Sequence, residues 1–283
     1  MPYFESPVDG TRLHYVDYGP ADGSVVVFVN SSYFGTEMWE YQMLPLAEEG
    51  YRCVGFDRRG HGRSDDVWGG FDLDSLADDL QGLIEHLDLR DVTLVGHSVG
   101  TAEIVRCLTR HGVERVARAA LVAGMVPGPV RSADHPEGIA PELAEAAKDA
   151  FQRDRAAFFA DGAHDFFALD RPGNELSDAY VQSMVRRCHG STARAGVALW
   201  DVIADLNAVP ELTKLDLPVL VVHGTHDVSA PFDLTGRRTA DLVPNGTLKV
   251  YENAGHGLFA THAAQLKSDL REFMAGGRAA LVP

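Results

Sequence analysis

The sequence has few basic residues for its length. Only 25 lysines and arginines stand against 41 acidic residues, and the formal net charge of the 283-residue chain is −16. Nucleic acids and anionic membrane surfaces bind proteins through basic faces, so we expect neither as a partner. The excess of acidic residues is typical of a solvated surface that keeps a protein soluble.

Paired cysteines, a signal segment and a long apolar run are also missing. The three cysteines, Cys53, Cys107 and Cys188, are far apart and odd in number, a pattern that does not indicate a disulfide framework. Residues 1–6 show no basic segment followed by an apolar one, and no apolar run has the length of a membrane span. We expect a cytoplasmic protein with a small-molecule partner, and the sequence leaves open whether it forms a homo-oligomer.

Strands and helices alternate along the first 122 residues and again after residue 217. Continuous apolar runs such as 24–29 are typical of buried strands, whereas residues 74–87 carry apolar side chains at helical spacing. Short strands that alternate with helices predict a parallel sheet covered on both faces. The predicted strands are 11–18, 24–29, 52–56, 92–95, 116–122, 218–223 and 247–251, and the predicted helices are 39–49, 74–87, 101–110, 234–242 and 258–274.

A block of different character interrupts this alternation. Residues 127–141 are rich in proline and glycine, and the helical segments 141–150, 154–159, 177–189 and 192–206 follow without a buried-strand run. Such a block is typical of a cap inserted over the carboxyl ends of the strands, the edge where open α/β sheets bind ligands. The sequence therefore predicts a core formed by residues 1–126 and 211–283 and a helical cap formed by residues 127–210.

The segment Gly96-His97-Ser98-Val99-Gly100 lies between a predicted strand and a predicted helix. A serine between two glycines in such a turn is typical of a nucleophile elbow. The glycines leave room where a Cβ would collide, and the turn lifts the hydroxyl above the sheet at the positive end of the helix. The structural alternative is a serine that only caps a turn or a helix.

A nucleophilic serine needs a base, and the base needs an acid that orients it. In this architecture the acid follows a late strand and the histidine follows the last strand. Asp227 lies in a glycine-bearing loop after strand 218–223, and His256 lies between two glycines after strand 247–251. Ser98, Asp227 and His256 are therefore the predicted catalytic residues. The alternatives are a capping role for Asp227 and an exposed loop position for His256.

Other histidines near these positions have alternative interpretations. His223, His226 and Asp227 could form a metal cluster, but they lie on a strand end and a loop without a further ligand set. We expect no metal and no cofactor. His97 is interpreted as a packing or hydrogen-bonding residue rather than a second base, and His262 as structural.

Acyl transfer also requires two N–H donors for the developing oxyanion. The residue after the nucleophile, Val99, supplies one of them. The loop at residues 30–35 supplies the other, and position favours the N–H of Ser32. The side chains of Asn30, Ser31 and Ser32 either add a donor or belong to ordinary loop residues.

Several segments outside these sites carry a family resemblance. They are residues 38–43 (Met-Trp-Glu-Tyr-Gln-Met), 50–52, 56–65 (Phe-Asp-Arg-Arg-Gly-His-Gly-Arg-Ser-Asp), 83–89, 96–100, 223–231, and 248–251 leading to 255–257. The chain resembles an α/β-hydrolase of the group that contains cofactor-free (non-haem) haloperoxidases, arylesterases and lactonases. The resemblance covers most of the chain except the cap, and it implies an α/β-hydrolase fold: a mostly parallel central sheet flanked by helices, with an inserted helical cap.

Two positions depart from the family pattern. Asn30 and Ser31 stand where the family usually has His-Gly, and enol-lactone hydrolases of the same superfamily have Asn-Ser at this place. Gly100 is followed by Thr101, whereas family elbows often carry a second glycine. Asp57 resembles a structural residue of the family, and we expect it to order its loop rather than to act in catalysis.

The leading hypothesis is a serine hydrolase that cleaves an ester or lactone of a small to medium hydrophobic substrate through an acyl-enzyme on Ser98. The cap aromatics either form a hydrophobic binding site or only pack the cap against the core; they are Phe151, Phe158, Phe159, Phe166, Phe167 and Trp200. The candidate substrate contacts are Asn30, Ser31, Tyr33, His97, Phe158 and Trp200. The alternatives are a haloperoxidase or perhydrolase that uses the same triad, and a non-hydrolytic lyase, cyclase or ligand-binding protein.

Overall fold

The central sheet has eight strands within residues 2–276, which are the residues that the computed structural model describes. The strands are β1 (Tyr3–Glu5), β2 (Arg12–Tyr18), β3 (Val25–Val29), β4 (Arg52–Phe56), β5 (Val92–His97), β6 (Val116–Val122), β7 (Val219–Gly224) and β8 (Gly246–Tyr251). Their order in the sheet is β1-β2-β4-β3-β5-β6-β7-β8. β2 pairs antiparallel with β1 and β4, and the other pairs are parallel. The predicted parallel sheet is confirmed.

Most of the helices begin and end close to their predicted bounds. In chain order they are α1 (Glu40–Glu48), α2 (Leu73–His86), α3 (Val99–His111), α4 (Pro141–Arg153), α5 (Arg155–Phe167), α6 (Asp178–Cys188), α7 (Ala193–Ala204), α8 (Val209–Leu212), α9 (Gly236–Leu242), α10 (Leu258–Thr261) and α11 (Ala263–Ala275). Side-chain caps start several of them: Asp72, Asp154, Ser177 and Thr192 accept hydrogen bonds from backbone N–H groups at the starts of α2, α5, α6 and α7.

Four elements differ from the prediction. The short strand β1 and the single turn α8 are not anticipated by the apolar pattern, because both are too short to show a period. The predicted helix 154–159 continues to Phe167 as α5. The predicted helix 258–274 is broken at His262, whose φ of −117° and ψ of 31° do not continue a helix.

The sheet is covered by apolar side chains on both faces. In β3, Val27 and Val29 join one buried cluster with α2 and α3, and Val26 and Phe28 join the other with α1, α11 and the cap helices. This two-sided burial explains why the central strands are continuous apolar runs rather than alternating ones. The three cysteines are buried and free.

Helices α4 to α7 lie between β6 and β7 in the chain, where the sequence predicts the cap. The predicted division into core and cap remains an interpretation, and its outermost residues, 1 and 277–283, lie outside the described residues. Within residues 2–276, no helix combines the length and the apolar character needed to cross a bilayer.

Candidate active site

The turn between β5 and α3 holds Ser98 in a strained conformation. Its φ of 57° and ψ of −123° are rare for a residue with a side chain. The turn tolerates no Cβ on either side: at Gly96 it would lie 2.7 Å from Ile104, and at Gly100 it would lie 2.7 Å from the carbonyl oxygens of Val29 and Asn30. Strain of this kind is concentrated at functional sites, and the geometry is that of a nucleophile elbow.

Asp227 and His256 form a buried pair at the same edge of the sheet. Nδ1 of His256 lies 2.7 Å from Oδ2 of Asp227, and both residues are almost fully buried. The other carboxylate oxygen, Oδ1, accepts hydrogen bonds from the N–H groups of Ser229 (2.9 Å) and Ala230 (2.8 Å). With Nδ1 engaged by the carboxylate, Nε2 is the ring nitrogen of His256 left for a substrate or a nucleophile.

The neighbouring histidines stabilise the ionised form of Asp227. Burial by itself would raise the pKa of this carboxyl, but the charge of His256 and hydrogen bonds from His223 and His256 outweigh burial and lower the pKa well below its usual range. Nε2 of His223 lies 3.1 Å from Oδ2 of Asp227 and 2.8 Å from the carbonyl oxygen of Ala230. His223 is thus a second support of the acid, a role that the sequence did not reveal.

Ser98 and His256 both line a cavity of about 630 Å³. The expected substrate contacts Ser31, Tyr33, Phe158 and Trp200 line it as well. Most of the remaining lining is aromatic or aliphatic, and Phe166 of α5 places its ring 5.2 Å from the ring of His256. Among the residues that the structure describes, no lysine or arginine lines this cavity, whereas Asp161 and Asp165 do.

Two expected substrate contacts, Asn30 and His97, do not line the cavity. Nδ2 of Asn30 donates to the carbonyl oxygen of Phe56 (2.8 Å), so its side chain holds β4 instead of facing a ligand. Nε2 of His97 lies 2.8 Å from the carbonyl oxygen of His256, and the two rings meet edge to face at 4.7 Å. The expectation that Asn30 and His97 contact the substrate is therefore corrected: both hold the backbone behind the cavity. His97 has the hydrogen-bonding role that was interpreted from the sequence.

The expected oxyanion donors belong to two different segments of the chain. Val99 is the first residue of α3, and Ser32 lies in the loop after β3 and lines the cavity. In the described part of the chain, neither N–H donates to a protein acceptor. An N–H without a protein acceptor is available to a bound oxyanion, and the roles of both residues remain predictions.

Asp57 orders the loop between β4 and α2. Its Oδ1 accepts from the N–H of Thr36 (2.7 Å), and its Oδ2 accepts from the N–H of Arg63 (3.0 Å). Asp57 is buried and does not line the cavity. These contacts fit the expected structural role.

The alternative metal cluster is not formed. Nδ1 of His226 lies 3.1 Å from the hydroxyl of Thr225, while His223 and Asp227 contact each other. Across residues 2–276, no group of three or more metal-ligating side chains comes together.

Comparisons with known proteins agree with this architecture. A family model described as the alpha/beta hydrolase fold matches residues 25–263. The chain is 38% identical to non-heme chloroperoxidase CPO-A1 of Kitasatospora aureofaciens and 33% identical to a bifunctional esterase/perhydrolase of Acinetobacter calcoaceticus; each match covers 94% of this chain and 97% of the relative. The solved structure of an esterase from Exiguobacterium antarcticum superposes with a TM-score of 0.91 at 27% identity, over 97% of this chain and all of that one.

Proposed function

The chain belongs to the α/β-hydrolase family, in the group of the non-haem haloperoxidases, and we propose that it hydrolyses a carboxylic ester or lactone through an acyl-enzyme on Ser98. The observation that carries this proposal is the buried His256–Asp227 pair, which opens into the cavity that also holds Ser98. The esterase and the bifunctional esterase/perhydrolase among the relatives support an enzyme that acts on ester bonds.

The residues have complementary roles in the proposed reaction. Nε2 of His256 takes the hydroxyl proton of Ser98 while Oγ attacks the carbonyl carbon, and Asp227 stabilises the imidazolium that forms. The N–H groups of Ser32 and Val99 hold the oxyanion. Collapse of the intermediate returns the proton to the leaving alkoxide. His256 then deprotonates a water molecule that attacks the acyl group and releases the acid.

The cavity supports a hydrophobic, uncharged substrate of small to medium size. Its volume of about 630 Å³ fits a drug-sized molecule. Its wall is mostly apolar, and its charged lining residues are Asp161 and Asp165, apart from the ionisable His256. A carboxylate on the substrate would have no cation within this lining to pair with, so we expect anionic lactones to be poor substrates.

The proposal is tested by labelling and turnover on the same preparation. A fluorophosphonate probe should form an adduct that mass spectrometry maps to Ser98, and a panel of neutral esters and lactones of increasing size should be hydrolysed. Heat-denatured protein serves as the labelling control. A native protein that binds no probe, or a Ser98→Ala variant that keeps full turnover, contradicts the proposal and favours a non-hydrolytic role.

A second activity is supported by the names of the relatives, which are a chloroperoxidase and an esterase/perhydrolase. Hydrogen peroxide instead of water would attack the acyl-enzyme on Ser98 and release a peracid, which then oxidises halide. This activity requires both peroxide and a carboxylic acid in the buffer. Ester turnover without any such halide oxidation would rule it out for this chain.

A further inference from the structure

Three consecutive carbonyl groups of the loop after β3 face side chains of the loop after β4. Nη2 of Arg58 donates to the carbonyl oxygen of Asn30 (2.8 Å), and Nη1 donates to that of Ser31 (3.1 Å). Nε2 of His61 lies 2.6 Å from the carbonyl oxygen of Ser32. The loop that is expected to supply an oxyanion donor is therefore held through its carbonyl groups from one side.

This arrangement fixes the direction of the Ser32 N–H. The carbonyl of Ser31 and the N–H of Ser32 belong to one planar trans peptide, in which they point in opposite directions. Because Arg58 binds the carbonyl, the N–H must point away from Arg58. Ser32 lines the cavity with Ser98, so the guanidinium holds this peptide from behind.

Arg58 is itself held by the helix that follows the nucleophile. Its Nη2 and Nε lie 2.5 and 2.7 Å from Oε1 of Glu103, and both side chains are at most 2% exposed. Glu103 belongs to α3, whose first residue, Val99, carries the other expected donor. One guanidinium thus connects the two backbone segments that the oxyanion would bridge.

We propose that Arg58, anchored by Glu103, is a positioning residue that sets the orientation of the Ser32 N–H relative to the Val99 N–H. This inference rests on the proposed acyl-enzyme chemistry and adds a residue that does not touch the substrate. Preorganised donors stabilise an oxyanion only when they already point at its position. If the peptide between Ser31 and Ser32 rotated freely, its N–H would no longer point at the oxyanion and this stabilisation would be lost. The cavity would stay open.

The chain offers a matched control in the next residue. Nε of Arg59 lies 2.8 Å from Oδ2 of Asp79 in α2, and both side chains are fully buried. The side-chain hydrogen bonds of Arg59 go to Ser6, Asp9, Gly69 and Asp79, away from residues 30–32. It is a buried arginine–carboxylate pair of the same kind without the loop contacts.

The experiment compares Arg58→Lys with Arg59→Lys on a neutral ester, with active sites counted by fluorophosphonate labelling taken to completion. Lysine keeps the charge but lacks the planar fork that binds a carboxylate and two carbonyls together. For Arg58→Lys we expect kcat per active site to fall about 10- to 100-fold. KM should stay within about twofold, because the bound substrate has no oxyanion yet and makes little use of the two N–H donors. Arg59→Lys should keep its kcat.

Two further measurements separate positioning from general damage. A boronic acid that forms a tetrahedral adduct on Ser98 should bind the Arg58→Lys variant more weakly, by about the same factor as the loss in kcat. A neutral ether analogue of the ester should bind both proteins equally. If Arg58→Lys does not fold, Glu103→Gln carries the test; it keeps the shape, and kcat should fall about 5- to 10-fold.

Equal kcat in Arg58→Lys and the wild type, or equal losses in the Arg58 and Arg59 variants, would overturn the positioning role and leave the proposed hydrolysis intact. A wild-type protein that neither turns over esters nor accepts the probe on Ser98 would instead overturn the proposed function, and the positioning role with it.

Discussion

The two walls of the cavity are built in different ways. The polar wall comes from the loops at the strand ends and consists of Ser31, Ser32, Ser98 and His256. The aromatic wall comes from α5 and α7 and consists of Phe158, Phe159, Phe166 and Trp200. Directional hydrogen bonds fix the polar wall, such as the 2.7 Å contact of His256 with Asp227. Contacts between aromatic rings form the aromatic wall. The rings of Phe158 and Trp200, for example, meet edge to face with their centres 6.0 Å apart. The first wall is suited to chemistry and the second to selection of the substrate.

The largest effect is expected at the centre of the polar wall. Ser98→Ala removes the proposed nucleophile, and kcat should fall by about five orders of magnitude. The fold should persist, because alanine removes only one atom from the side chain. Ester turnover and thermal unfolding of the same sample measure both quantities. Residual turnover above one-hundredth of wild type would show that the polar wall does not act through Ser98.

The next effect is expected behind the polar wall. Asp227→Asn keeps the shape of the acid but removes the charge that stabilises the imidazolium, and kcat should fall about 10⁴-fold. The matched control is Asp233→Asn, since Asp233 is exposed and pairs only with Arg237 among the described residues. Steady-state turnover of the two variants distinguishes loss of the His256–Asp227 pair from the general loss of one negative charge.

Changes in the aromatic wall should alter selectivity instead of chemistry. For Phe158→Ala or Trp200→Ala, we expect kcat/KM on a bulky aryl ester to fall about tenfold, in line with the modest discrimination of apolar pockets. Turnover of a short-chain acetate ester should stay within about threefold. Equal losses on both esters would mean that these rings only pack the cap against the core, the alternative left open by the sequence.

The smallest effect concerns the buried carboxyl that anchors the polar wall. Burial raises the pKa of Glu103 to about 7, although the nearby Arg58 lowers it. An acid whose pKa is higher in the folded state favours folding most below its unfolded pKa, near 4.5. This contribution to the free energy of unfolding is lost as the pH rises through about 7.

Urea unfolding of the wild type and Glu103→Gln at pH 5 to 9 measures this loss. Glutamine does not titrate, so the stability of the wild type relative to the variant should decrease with pH, by at most about 1.4 kcal/mol per pH unit. A constant difference across this range would show that Glu103 stays charged throughout.

The strands of the sheet can be predicted well from the sequence. The residues that hold the site residues in place through hydrogen bonds can be predicted only poorly. Strands 52–56 and 116–122 match the structure residue for residue, because most of their side chains are apolar and buried, and such short apolar runs are typical of core strands. The glycines of residues 96–100 predict the elbow, and in the structure each stands where a Cβ would collide. The assignment of Ser98, Asp227 and His256 as catalytic residues remains a proposal that this geometry supports.

Patterns of burial do not specify which polar atoms meet. His97 adjoins the proposed nucleophile in the chain, and Asn30 belongs to the loop that is expected to supply an oxyanion donor. Their side chains nevertheless face the backbone of His256 and Phe56, respectively. Arg58 lies in a segment that stands out in the sequence only by its family resemblance. Its contact with the carbonyl of Ser31 depends on how two loops approach each other. Such contacts depend on the tertiary structure and produce no periodic pattern in the sequence from which they could be predicted.

The two ends of the segment that carries α4 to α7 lie close together. β6 and β7 are neighbours in the sheet, and the N–H of Ala208 donates to the carbonyl oxygen of Pro127 at 2.7 Å. The segment carrying α4 to α7 therefore leaves and returns at almost the same point. Segments with adjacent ends are the ones that tolerate insertion and exchange. We therefore expect that this segment can be exchanged as a unit while the loops that carry Ser98, Asp227 and His256 stay unchanged.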